Sequence, residues 1–175
     1  MIALAEGMDL PDAAASQVYA FLGRRGSGKT YGAGGLVEQL LDHGSQVVIL
    51  GPVGTWYGLR PAADGAGEGY PIPVFGGLHG DYPLDSGAGK AVAMLVATRN
   101  VSLVLAVSDF TGTAPRHFVE EFAVELLQQK KRHRSAVLFV MDEAQEFAPQ
   151  FSRPEYQRML GAIEKLVKLG RHFGI

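Results

Sequence analysis

Short, largely apolar runs alternate with segments of helical periodicity along most of this chain, and no other feature restricts its fold so much. The runs are Val18–Leu22, Gln46–Leu50, Val101–Val107 and Ala136–Met141, with a shorter candidate at Ile72–Phe75. Between them, Leu36, Val37, Leu40 and Leu41 share one helical face. Residues 87–99, 115–131 and 154–170 carry apolar residues at three- and four-residue spacing. A strand that is apolar at every position must be covered on both faces, which is the condition of a parallel sheet between helix layers. The expected class is therefore α/β, a three-layer fold with a mostly parallel sheet. Residues 1–17 are expected to be an N-terminal arm or lead-in helix, and 18–175 one domain. Residues 51–90 hold 11 of the 23 glycines and 5 of the 9 prolines. They read as a Gly/Pro-rich insertion too broken for long regular elements, and connections of this length are usually functional or poorly ordered.

Composition excludes several classes. Apolar residues make up 47% and charged residues 19% of the 175, too apolar for a disordered chain. There is no cysteine, so disulfides, thiolate metal sites and thiol nucleophiles are ruled out. The five histidines show no metal-ligand spacing. Net charge is −2, with six basic and ten acidic residues in 1–110 against ten and eight in 111–175, so no basic domain announces a nucleic-acid binder. The start carries Glu6 where a signal peptide has Lys or Arg, and no apolar run nears the ~20 residues that span a bilayer. A cytoplasmic protein with no membrane partner is expected.

Chemistry enters at Gly23-Arg24-Arg25-Gly26-Ser27-Gly28-Lys29-Thr30, which matches G-x-x-x-x-G-K-[ST] between an apolar run and a helical one. Glycines in such a loop permit backbone conformations that aim successive N–H groups at phosphate oxygens, and the helix start adds partial positive charge. Lys29 is expected to reach the β- and γ-phosphates and the Thr30 hydroxyl to ligate Mg²⁺. Tyr31 is counted with the nucleotide-binding residues. Gly32, Gly34 and Gly35 follow inside the helix, at a cost of up to ~1 kcal/mol each relative to Ala. They accompany either a functional loop or close helix–strand packing.

A metal-dependent NTPase needs a second acidic group at the carboxyl edge of the sheet. The run Ala136–Met141 delivers Asp142 there, with Glu143 next. Asp142 is the expected Mg²⁺ residue, acting through water, and Glu143 the residue that orients or deprotonates an attacking water. Acids at that position also serve as helix caps, so the pair carries weight mainly beside the phosphate loop. The only asparagine is Asn100, which excludes the N-K-x-D guanine-reading motif and leaves ATP as the expected nucleotide.

Together, GRRGSGKT, VLFVMDEAQEFAP at 137–149 and KLGRHFGI at 168–175 resemble the ATPase domain of the HerA/FtsK superfamily, over about Val18 to Ile175. The resemblance implies a P-loop NTPase with a RecA-like core, a ring hexamer, ATP-driven movement of double-stranded DNA and a nuclease partner. By motif, Lys29 and Thr30 correspond to the Walker A pair, Asp142 to the Walker B residue and Glu143 to the catalytic glutamate. Arg171 corresponds to a candidate arginine finger acting across a subunit interface; a helix C-terminal cap is the alternative.

The sequence departs from the family at three places. Gln145 stands where many members have His, and Gly51-Pro52 where the family shows Asp-Pro. The strand ending in a polar sensor, which the family places after R-x-F-G-I, is not in the 175 residues. A truncated chain with open strand edges is therefore expected. The basic run Lys130–Arg134 suits either DNA phosphates or a solvated loop, and Trp56 and Tyr57 either base stacking or anchorage of the insertion. Glu146 suits the helix dipole better than the acidic pair. Two further functions fit a phosphate loop: a nucleotide-dependent scaffold or switch with negligible turnover, and a small-molecule kinase. The kinase needs an Arg-rich lid, and residues 51–90 contain only Arg60.

Overall fold

The computed structural model describes residues 2–5, 8–24, 26–62, 66–150 and 153–175. It begins with an antiparallel pair, β1 (Ile2–Ala5) and β2 (Met8–Leu10), followed by a 3-10 turn at Asp12–Ser16. This pair replaces the expected arm or lead-in helix. Ile2, Ala14 and Ala15 are buried against the first long helix, α1 (Lys29–Asp42), so the segment belongs to the core.

Next come β3 (Gln46–Gly51), β4 (Val74–Phe75), α2 (Gly89–Arg99), β5 (Leu103–Ala106), α3 (Ala114–Arg132), β6 (Val137–Met141) and α4 (Gln157–Leu169). Among the described residues, the main sheet runs β4-β5-β3-β6 and every pairing in it is parallel. β3 lies inside, with Val48 opposite Leu103 on one side and Phe139 on the other. Successive side chains of a strand point to opposite faces, and β3 uses both. Val47 and Ile49 pack with Leu36, Val37 and Leu40 of α1, while Val48 and Leu50 pack with α2, α3 and α4. All four are fully buried, a transfer worth about 1.5–3 kcal/mol for each such side chain. The α/β class and the parallel sheet are thus as the alternation predicts, and the α3 stripe of Phe118, Val119, Phe122, Ala123, Leu126 and Leu127 is buried as its spacing requires.

One expected strand is missing. Val18–Leu22 forms no strand, and it is not buried: Val18 is 62% and Leu22 90% exposed. A strand exists only as part of a ladder, and among the described residues no strand pairs with this segment. β6, for its part, is paired with β3 on one edge only among the described residues. The expected open strand edge is found on β6 beyond Val137, whose N–H donates to the Gly174 carbonyl at 2.7 Å, whereas 18–22 forms no strand.

The Gly/Pro-rich insertion is tied down at several points. Trp56 and Leu59 are buried in a 3-10 turn, Arg60 pairs with Asp81 at 2.9 Å, and the Tyr70 hydroxyl donates to Asp42 of α1 at 2.8 Å. Tyr57 stacks on His79 with ring centroids 3.9 Å apart. Trp56 thus anchors the insertion.

Candidate functional site

The loop before α1 curls tightly. Gly26 (φ 76°) and Gly28 (φ 83°) are both left-handed, and Ser27 between them is not. Such alternation turns consecutive N–H groups toward one concavity, the geometry of an anion nest. Gly28 is also the N-cap of α1, so helix and nest share one mouth. A Cβ on Gly23 would lie 2.5 Å from Ser27 Oγ, so a side chain there would have to turn that hydroxyl aside. Lys29 folds back over the loop, its Nζ donating to the Arg24 carbonyl at 3.0 Å. Thr30 and Tyr31 are exposed at the start of the helix. Arg25 lies outside the described residues.

Asp142 follows β6 directly, its N–H donating to the Leu50 carbonyl at 3.0 Å, so the ladder continues to the carboxyl edge. Its two carboxylate oxygens are held separately. Oδ1 accepts the Glu143 backbone N–H at 3.0 Å, and Oδ2 accepts the Trp56 indole N–H at 2.9 Å. Glu143 is left-handed (φ 47°), one of two such non-glycine residues among those described, with Asn100. That conformation costs a residue with a Cβ about 1–2 kcal/mol. The exposed Glu143 carboxylate accepts from Gln145 Nε2. Glu146 is exposed at the end of the 3-10 turn Ala144–Glu146 and belongs to that turn rather than to the acidic pair.

These two groups, more than a hundred residues apart in sequence, line one cavity of about 810 Å³. Gly26, Gly28, Lys29, Thr30 and Tyr31 form one side, and Asp142, Glu143 and Gln145 another. Its floor is apolar, from Val18–Leu22, the open edge of β6 and the α4 residues Ile163, Leu166 and Val167. The Tyr19 hydroxyl in this wall is buried with no protein partner among the described residues, and desolvation pushes its pKa above the ordinary phenol value. Arg171 is exposed in the 3-10 turn Gly170–Phe173 and does not line the cavity.

The donor set suits a cation that is only partly held by protein. Among the described residues, no group of three or more His, Asp or Glu side chains is placed to hold a metal. One carboxylate (Asp142) and one hydroxyl (Thr30) beside an anion nest fit Mg²⁺, which usually keeps several waters and takes further oxygens from phosphate.

Two features, one of the site and one outside it, went unread in the sequence. The Trp56–Asp142 bond joins residues 86 apart, and no local pattern signals it. The basic run also changes meaning, because Lys130 is fully buried, donating to the Ser135 carbonyl and hydroxyl at 2.7 and 2.6 Å. Lys131 and Arg134 lie over the Phe173 ring, 5.9 and 5.5 Å from its centroid. Here a signal existed: Lys130 continues the i, i+4 row of Phe118, Phe122 and Leu126.

Among the described residues, no helix is long and apolar enough to cross a membrane. No family model, curated protein or solved structure matches the chain.

Proposed function

We propose that this chain is a P-loop ATPase domain with a RecA-like core that binds ATP with Mg²⁺ in the cavity and hydrolyses it, serving as the motor part of a HerA-like DNA translocase. The observation that carries the reading is the convergence of the Gly23–Thr30 loop and the Asp142–Glu143 pair on one cavity at the carboxyl edge of a parallel sheet. The backbone amides of the nest and the Lys29 ammonium would hold the phosphates, Lys29 exchanging its Arg24 carbonyl for phosphate oxygens. The Thr30 hydroxyl and Asp142 would hold Mg²⁺, which when bound neutralises charge on the phosphate oxygens. Glu143, exposed and free to rotate away from Gln145, would orient the attacking water and hold its proton. Arg171 is accessible to a second subunit, as an arginine finger acting across a ring interface requires. The ring hexamer, the duplex DNA substrate, a nuclease partner and a cytoplasmic location are parts of the same proposal and rest on the family resemblance.

A second reading, a nucleotide-dependent scaffold or switch, draws support from the open β6 edge, which gives a nucleotide-bound state a surface on which to recruit another chain. Steady-state phosphate release separates the two, with Glu143→Gln as control. The ATPase reading expects Mg²⁺-dependent release at least about 100-fold above that variant, and further stimulation by duplex DNA at low salt. Release equal to the variant, with ATP still bound, leaves only the switch.

A further inference from the structure

We propose that Trp56 is a positioning residue for Asp142: its indole N–H fixes the carboxylate in the orientation that receives Mg²⁺. The inference rests on the ATP–Mg²⁺ reading of the cavity and adds to it a residue outside both sequence motifs.

A carboxylate at a strand end rotates about χ1 and χ2, and each rotation moves its oxygens relative to a cation. Asp142 has both oxygens tied, Oδ1 by its neighbour's backbone and Oδ2 by Trp56 at 2.9 Å. Each carboxylate oxygen has two lone-pair directions, so one on each remains for a metal-bound water. Losing a group that orients a ligand from behind in this way typically costs about 10–100-fold in metal affinity or activity.

Trp56 is itself rigid. It is 5% exposed and packs with Val47, Ile49 and Leu59 in the core on the α1 face. Its ring crosses the end of β3 so closely that a Cβ on Gly51 would lie 3.1 Å from its Cδ1. Glycine at 51 therefore makes room for the indole. β3 and β6 are neighbours in the sheet, so the bond from Trp56 to Asp142 latches the carboxyl ends of two adjacent strands at the mouth of the cavity. Indole is a donor only and carries no charge, so it orients the carboxylate without competing as a cation.

The test is Trp56→Phe, which keeps a ring and removes the donor. ADP binding is measured calorimetrically in EDTA and then across a Mg²⁺ titration. We expect ADP affinity in EDTA to change less than twofold, while the Mg²⁺ concentration giving half of the metal-dependent gain rises about tenfold. A rise below threefold, with binding in EDTA intact, overturns the role of Trp56 and leaves the phosphate loop standing. A parallel loss in both conditions marks a merely structural role and overturns it too. No ADP binding by the unaltered protein either in EDTA or with Mg²⁺ removes the phosphate-loop reading, and this inference with it.

A second measurement needs no variant. Trp56 is the only tryptophan, so the unaltered protein gives one indole ¹H–¹⁵N resonance. Adding Mg²⁺ to the ADP-bound protein should shift that resonance, and an unmoved resonance under saturating Mg²⁺ overturns the proposal even where Trp56→Phe fails to fold.

Discussion

Lys130 shows how far a side chain's neighbours can change its chemistry. It sits fully buried at the end of the Phe118–Phe122–Leu126 row, and its Nζ meets Ser135, whose hydroxyl donates on to Asn100 Oδ1 at 2.7 Å. Burial lowers its pKa from 10.5 to about 8. The folded protein therefore loses this proton near pH 8, and the unfolded chain holds it until about pH 10.5. Between those values the unfolded state binds more protons, so this group makes the fold more stable as pH rises from 8 toward 10. Tyr70, raised to about 12 by burial and Asp42, acts in the opposite sense only above pH 10. The urea midpoint of the unaltered protein should therefore rise between pH 7.5 and 9.5 relative to Lys130→Met. Parallel profiles would show that Lys130 keeps its proton in the fold. At the same scale, Lys29→Ala should abolish ATP binding by calorimetry while leaving the circular dichroism spectrum unchanged, because the Lys29 ammonium bonds within its own loop, to the Arg24 carbonyl. Retained affinity would remove the phosphate-loop assignment.

Within the elements, glycines with the same local cost have opposite meanings. Gly34 and Gly35 lie inside α1, and a Cβ on either would meet nothing within 4 Å. Close packing is therefore not why they are there. Gly34→Ala and Gly35→Ala should each stabilise the protein by up to about 1 kcal/mol, the helix-propensity difference. Gly89, at the start of α2, has the Phe118 carbonyl, Glu121 Cβ and Phe122 N within 2.9 Å of the position a Cβ would take. Gly89→Ala forces α2 away from α3 and should destabilise by about 1–3 kcal/mol. Chemical denaturation of the three variants decides both statements. A stabilising change at 89, or a destabilising one at 34 and 35, would contradict the packing described for these helices.

Across the whole molecule, the cavity joins the chemical groups to an apolar wall and a β6 edge that no other strand covers among the described residues. Open edges flanked by exposed apolar side chains invite pairing with other chains. Without nucleotide, the sedimentation coefficient should increase with concentration across the micromolar range, and Val18→Lys with Leu22→Lys should suppress the increase. Both side chains are exposed, so these changes cost the fold little. A species that stays monomeric at every concentration would show that the edge is protected.

What the sequence determined by itself is whatever depends on near neighbours and on periodicity. The apolar runs became β3, β5 and β6, the α3 stripe went inward, and Gly26 and Gly28 of the Gly23–Thr30 loop took left-handed backbone. Position alone also put Asp142 at a carboxyl edge. Tertiary structure decided the remainder, because it turns on partners distant in the chain. Val18–Leu22 has a strand's composition but joins no ladder, and so it formed no strand and left Val18 and Leu22 exposed. Trp56 became part of the acidic site, and Lys130 became a core residue, only when strands and helices far apart in sequence came side by side. A propensity is local; hydrogen-bonded pairing and burial belong to the assembled sheet and its two covering layers.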